Sequence, residues 1–246
     1  MNLTEAVKAA GIVGAGGAGF PTHVKLNAKA ECFVVNAAGC EPLIETDKYL
    51  CRTYADEIIA AVAAVATHLG AERAVIALKG KYRAEIAALS DAIGRMGAQV
   101  EIFEMGTFYP AGDEQTMVQQ VTGRSVPERG LPLDVGCVVD NVGTLLNIFD
   151  ALQGKNVTDK FLSVVGEVKA PIMLHVPVGT AITECVAAAE PTIGAYSLIL
   201  GGPMMGKVLE DQTAIEAAVV TKTTGNIIVL PKDCLLYTSP SPRDCS

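Results

Sequence analysis

The chain of 246 residues contains no tryptophan, and aromatic residues make up only 5% of it. Alanine, glycine and valine fill that place, and small side chains of this kind suit close packing of helices on a sheet. Charged residues are also sparse, at 19%, with a net charge of −8 and no block rich in lysine and arginine. This argues against a nucleic-acid partner, because neutralising phosphates requires clustered cations. No apolar run is long enough to span a bilayer. The most apolar candidate, Ile58 to Leu69, is short and follows Asp56 and Glu57. The first eight residues lack the basic stretch and apolar run of a secretory signal, so a cytoplasmic location is expected. Seven cysteines, at 32, 40, 51, 137, 185, 234 and 245, include no C-x-x-C pair. They read as free, mostly buried thiols, and an iron–sulfur cluster built wholly from this chain is not expected. No metal site is expected either.

Half the residues are apolar, enough for a sizeable core. Strand and helix patterns alternate through the first 150 residues. Strands are expected at Cys32–Asn36, Arg73–Leu78, Gln99–Phe103 and Gly136–Val139. Helices are expected at Thr4–Ala10 with Thr4 as N-cap, at Arg52–Leu69 stopping at Gly70, at Tyr82–Met96, at Glu114–Val121 and at Val142–Leu152. This alternation predicts an α/β domain with a mostly parallel sheet. After Gly154 the order changes to strand (Lys160–Val165), strand (Ile172–Val176), helix (Ile182–Ala189), strand (Tyr196–Leu200), which suggests a small β-grasp-like module. The expected division is 1–155, 156–206, a linker over 207–232 and a non-native tail over 233–246. That tail, with Pro240 and Pro242 and no periodicity, resembles translated sequencing-adapter read-through and is set aside from fold reasoning.

The most informative stretch is Gly11-Ile-Val-Gly-Ala-Gly-Gly-Ala-Gly-Phe-Pro-Thr22, with five glycines between positions 11 and 19. A loop without Cβ atoms lets backbone amides approach a phosphate or a ring closely. Gly14-x-Gly16-x-x-Gly19 matches the dinucleotide fingerprint, with Glu41 about twenty residues on. The setting differs, since a helix rather than a strand precedes the loop and no long helix follows Pro21. Three other loops carry polar groups to strand ends, where open α/β sheets bind ligands. They are Asn36-Ala-Ala-Gly-Cys-Glu-Pro42, Tyr109-Pro-Ala-Gly-Asp-Glu114 and Asp140-Asn141. Each also has a local explanation: Asp113 and Glu114 favour a helix N-terminus, and Asn141 suits an N-cap.

Together Gly14–Thr22 with Lys25, Asn36…Glu41-Pro42, Gly112-Asp-Glu114 and Val139-Asp-Asn-Val142 resemble the flavoprotein subunit of respiratory complex I and its RnfC-like relatives. The resemblance covers residues 1 to 232. Within that family the chain looks most similar to the RnfC-like cobalamin reductases of propanediol-utilisation microcompartments. It implies a Rossmann-like flavin-binding domain followed by a soluble ligand-binding (SLBB) β-grasp domain, whose end is Gly201-Gly-Pro-Met-Met-Gly206. It further implies an FMN site that accepts hydride from NADH and passes electrons toward iron–sulfur clusters in a missing C-terminal region. The acceptor would be a corrinoid enzyme or a membrane electron-transport complex, and the location cytoplasmic, microcompartment-associated or peripheral at a membrane. An oligomer is compatible with this reading.

By this resemblance Gly14, Gly16, Gly17 and Gly19 lie along the flavin and nucleotide, and Gly112 and Asp113 belong to the same site. Lys25 supplies positive charge, and Asn36, Asp140 and Asn141 hydrogen-bond the flavin. Phe20 stacks on a ring of NADH, while Glu41 and Glu114 bind its hydroxyls or amide. No side chain is assigned as catalytic acid or base, because the chemistry belongs to the flavin. Two positions depart from the family pattern: Gly39 replaces an acid, and Asp140 stands where asparagine is usual. The alternative is a non-catalytic electron-transfer or scaffold subunit that has lost NADH turnover. A plain Rossmann dehydrogenase would need a positioned base, for which His23, His68 and His175 offer little.

Overall fold

A computed structural model describes residues 2–232 and 234 of the chain. The expected tail, 233–246, lies outside the described residues apart from Cys234. The first helix, α1 (Leu3–Ala9), is capped by Asn2 in a capping box with Glu5. Thr4 is therefore not the N-cap, and its hydroxyl instead meets His68 Nε2 at 2.9 Å. The glycine loop follows, closed by an antiparallel bridge between Val13 and Pro21, and leads to a single helical turn, α2 (Thr22–Lys25).

Strand β1 (Cys32–Asn36) is apolar at four of five positions because both its faces are covered. The expected helix Arg52–Leu69 is two helices, α3 (Thr46–Thr53) and α4 (Ala55–Leu69). Tyr54 separates them by leaving helical geometry (φ −123°, ψ 35°) and packing its ring on Phe161. Gly70 ends α4 in the left-handed region, as its position suggested. Strand β2 (Arg73–Lys79), helix α5 (Arg83–Met96) and strand β3 (Glu101–Met105) come next. Strand β3 begins two residues later than its apolar pattern implies, because its parallel ladder with β2 starts at the pair Val75–Glu101. Helix α6 (Glu114–Thr122), strand β4 (Cys137–Asn141) and helix α7 (Val142–Leu152) complete the first unit.

These four strands form a parallel sheet in the order β3-β2-β1-β4. Side-chain alternation along β1 splits the core: Phe33 and Val35 pack with α4, α5 and α7, whereas Cys32 and Val34 pack with α6. The β1–β4 register sets Asn36 opposite Asn141 at the carboxyl ends of the strands.

The second unit comprises β5 (Asp159–Gly166), β6 (Ile172–Pro177), α8 (Ile182–Ala188), β7 (Tyr196–Leu200), β8 (Lys207–Leu209), α9 (Gln212–Ala217) and β9 (Asn226–Pro231). Its five-stranded sheet runs β6-β5-β9-β7-β8, with β5 and β9 the parallel central pair. This arrangement of a hairpin, a helix and a central parallel pair is β-grasp-like. Residues 207–232 are thus not a linker. Ile227, Ile228 and Val229 fill the middle of the second sheet, and without them β5 and β7 would lack their shared neighbour.

Candidate functional site

A cavity of about 1410 Å³ opens at the carboxyl ends of β1 and β4, with the second unit as its opposite wall. Of the residues the resemblance singles out, Gly14, Gly16, Gly17, Phe20, Lys25, Asn36, Glu41, Gly112, Asp113, Glu114, Asp140 and Asn141 all line it. Gly19 does not; it faces the second unit, where a side chain would meet the Thr223 methyl at 3.1 Å. His23 is not on the wall either. His68 packs between Thr4 and the Leu26 carbonyl, and His175 stacks on Phe161 at 3.9 Å.

The glycine loop is pinned from three sides. The Gly14 amide donates to the Phe20 carbonyl (2.9 Å), the Ala15 amide donates to Thr144 Oγ1 (3.0 Å), and Lys160 Nζ donates to the Ala15 carbonyl (3.2 Å). Gly17 holds φ +119°, a backbone state closed to most side chains, and the space before its α-carbon is open. A Cβ on Gly16 would press on the Asn141 side chain at 3.3 Å. Among the described residues, the amides of Gly16, Gly17 and Ala18 have no acceptor within the protein. Unpaired backbone donors bordering a cavity are a ready anion or ring cradle.

Several polar residues serve local structure as well as the wall. Asn36 Nδ2 donates to the Gly112 carbonyl (2.8 Å) and its Oδ1 accepts from the Ala38 amide (3.2 Å), so both its polar atoms brace neighbouring loops. Asp113 is the N-cap of α6, and Asn141 is the N-cap of α7. Asn141 Nδ2 also donates to Asp47 Oδ2 at 2.8 Å. Glu41 Oε2 accepts from the amides of Met204 (2.7 Å) and Met205 (3.2 Å), which ties the first unit to the turn between β7 and β8.

The charges are unevenly matched. Lys25 Nζ reaches Glu114 Oε1 (2.8 Å) and the Val139 carbonyl (2.7 Å), and lies 3.9 Å from Asp140 Oδ1. Asp140 is only 2% exposed and, among the described residues, its Oδ2 has no hydrogen-bond partner. Burial pushes its carboxyl up to about 7, against the pull of Lys25 and with a smaller push from Glu114. Desolvation also raises the Asp47 carboxyl, opposed by its bond from Asn141 and by Lys160. Lys160, on β5, is lowered to about 8 by burial, with Asp47 opposing.

Lys160 and Asp47 are wall residues that the sequence motifs did not select. For Lys160 the sequence carries only a sign of burial: it shares the parity of Leu162 and Val164, which fill the second unit's own core, while the opposite parity, Phe161 and Ser163, meets Tyr54 and Thr46 of the first unit. Asp47 carries no comparable sign, since its place near Asn141 depends on how α3 docks.

Residues 7–150 match the family described as the Nuo51 FMN-binding domain. The chain is 44% identical over 234 residues to cobalamin reductase PduS of Citrobacter freundii, covering 94% of this chain and 50% of that protein. It is 35% identical over 250 residues to a subunit of the Na(+)-translocating ferredoxin:NAD(+) oxidoreductase complex of Acetobacterium woodii, covering 97% and 54% respectively. Among solved structures, a chain of the NAD+-reducing [NiFe]-hydrogenase in the H2-reduced state superposes with a TM-score of 0.82 at 25% identity. That match covers 93% of this chain and 46% of the other. The chain therefore spans about half the length of the curated relatives it matches. With more than half of its length matched by the family, the chain belongs to the Nuo51 FMN-binding domain family.

Proposed function

We propose that this chain is the flavin-holding module of a larger electron-transfer protein, binding FMN in the cavity and taking reducing equivalents from NADH. The observation that carries the reading is the glycine loop: three consecutive amides without an internal acceptor border a cavity at the carboxyl ends of parallel strands. The cavity volume, about 1410 Å³, exceeds the ~300–1,000 Å³ of a single small-ligand site. A flavin and a second nucleotide fit side by side in a space of that size.

The donor set suits FMN. The Gly16–Ala18 backbone offers amides, Lys25 offers charge, and the unpartnered Oδ2 of Asp140 offers one polar contact to a ligand. Bound FMN would supply two-electron acceptance from a hydride donor and one-electron release to a metal centre. The protein's part is to orient and to shield. Phe20, 46% exposed at the cavity wall, presents a ring face to an incoming nicotinamide nucleotide. The relatives' names, a cobalamin reductase and a ferredoxin:NAD(+) oxidoreductase component, support onward transfer to a corrinoid or to a membrane complex. Iron–sulfur centres would lie in the part of such proteins that this chain does not span. Residues 1–155 form the FMN and NADH unit in this reading, and the β-grasp unit runs from 156 to about 232.

Among the described residues no helix is long and apolar enough to cross a membrane. Peripheral or microcompartment association is the matching expectation. The test is reconstitution with FMN, desalting, and anaerobic titration with NADH. Retained yellow flavin that bleaches on NADH addition is expected. A protein that keeps no flavin sinks the proposal.

A second reading has one observation behind it. Gly39 lines the cavity at φ +46° with no side chain, where the family resemblance implies an acid. A scaffold or electron-transfer subunit without NADH turnover would retain flavin that NADH leaves unbleached.

A further inference from the structure

Lys160 is the second residue of β5, the first strand of the second unit, yet its ammonium reaches across the cleft to the glycine loop. Among the described residues the ammonium makes one hydrogen bond, to the Ala15 carbonyl at 3.2 Å. The residue is 8% exposed and borders the cavity. Among the described residues it forms no ion pair within 4.0 Å. Of the other lysines on the cavity wall, Lys25 is paired with Glu114 and Lys207 is exposed to water, so neither is a buried cation awaiting an anion. The acid that Lys160 senses, Asp47, is already engaged by Asn141 at 2.8 Å.

A buried ammonium with a single neutral acceptor is costly unless an anion completes its shell. Burial has lowered this one to about 8, the signature of a cation short of compensation. The chemistry around it selects the anion. The Ala15 carbonyl that Lys160 holds leads directly into the Gly16–Ala18 backbone, whose amides lack acceptors among the described residues. Thr223 stands against Gly19 on the same side. Bare consecutive amides beside a lysine are the arrangement that takes a phosphoryl group, with the lysine as a point charge.

We propose that Lys160 is an anion-binding residue of the cavity, delivered by the second unit to take a phosphoryl group of the nucleotide held by the glycine loop. The inference rests on the flavin reading above and extends it: the ligand site is built by both units, and the β-grasp unit supplies a charge as well as a wall. FMN and NADH both carry phosphoryl groups, and the experiment separates them.

Wild type and Lys160→Met are titrated with FMN, with riboflavin, and, once flavin is bound, with NADH. Flavin fluorescence and calorimetry give the dissociation constants. Lys160→Met should weaken FMN binding roughly ten- to a hundredfold, the range of a charge-assisted hydrogen bond, and leave riboflavin binding unchanged. If FMN affinity holds and NADH affinity falls by that factor, the phosphoryl group is that of the dinucleotide, and the proposal stands. Equal losses for FMN and riboflavin would mean a structural role and overturn it, as would no loss for any ligand. A wild type that binds no flavin would remove the flavin reading itself, a different result from a wild type that binds FMN and a variant that binds it equally well. Lys160→Gln keeps a donor toward Ala15 while removing the charge. It should reproduce the selective loss should the methionine variant fold poorly.

Discussion

At the residue scale, Asp140 shows how one atom changes the behaviour of a site. Where the family resemblance implies asparagine, this chain places a carboxyl with 2% exposure and, among the described residues, one unpartnered oxygen. Its folded-state pKa of about 7 lies above the ordinary 3.8. Between those values the folded chain keeps a proton that the unfolded chain has released. Stability contributed by this group is therefore full below about pH 4, falls as pH rises toward 7, and is lost above it. Asp140→Asn removes the ionisation. The variant should match wild type near pH 3 and exceed it at pH 8 by a few kcal/mol, at about 1.4 kcal/mol for each pH unit of displacement. Urea denaturation of both proteins at the two pH values measures this, and parallel pH profiles would refute it. The position itself was legible in the motif Val139-Asp-Asn-Val142. The missing partner was not, because burial and pairing are properties of packing. The same limit applies to Glu41: its motif was visible, but its bond to the Met204 and Met205 amides joins residues 163 and 164 positions apart.

At the scale of elements, glycines divide into those that the backbone requires and those that it merely tolerates. Gly206 ends the turn between β7 and β8, and a Cβ there would run into the Gly202 carbonyl and lie 2.5 Å from an Ile199 methyl. Gly206→Ala should cost more than about 2 kcal/mol, since a backbone contact cannot move aside. Gly94 sits on the exposed face of α5 with nothing within 4 Å of an added Cβ. Gly94→Ala should stabilise by roughly 0.5–1 kcal/mol through helix propensity alone. Urea midpoints of the pair would check both signs, and a loss in Gly94→Ala would contradict the open surroundings of that position in α5. Periodicity located helices and strands well where both faces pack locally, as in α7 and β7, whose bounds coincide with the apolar pattern. It failed where a distant partner decides. Tyr54 breaks α3 from α4 while packing on Phe161 of the other unit, and β9 is a central strand only because β5 and β7 flank it.

At the scale of the whole molecule, the two units are locked across the cavity by polar contacts from both sides. Thr46 Oγ1 donates to the Gly225 carbonyl at 2.5 Å and contacts Ser163 Oγ at 3.3 Å. Lys222 Nζ donates to the Gly11 carbonyl at 2.5 Å, next to the glycine loop. A ligand held between these walls must order both at once. FMN at a hundred times its dissociation constant should stabilise the fold by about 2.7 kcal/mol, provided it binds only the folded state. If the site is built by both units, that stabilisation cannot be confined to the Rossmann-like half. Hydrogen exchange with and without FMN should show added protection in two places: the loop from Gly14 to Gly19, and the segment from Thr221 to Asn226 that leads into β9. Riboflavin should protect the first segment more than the second, because without a phosphoryl group Lys160 gains no partner. Protection confined to the first unit would leave the β-grasp domain as a neighbour of the site rather than one of its walls.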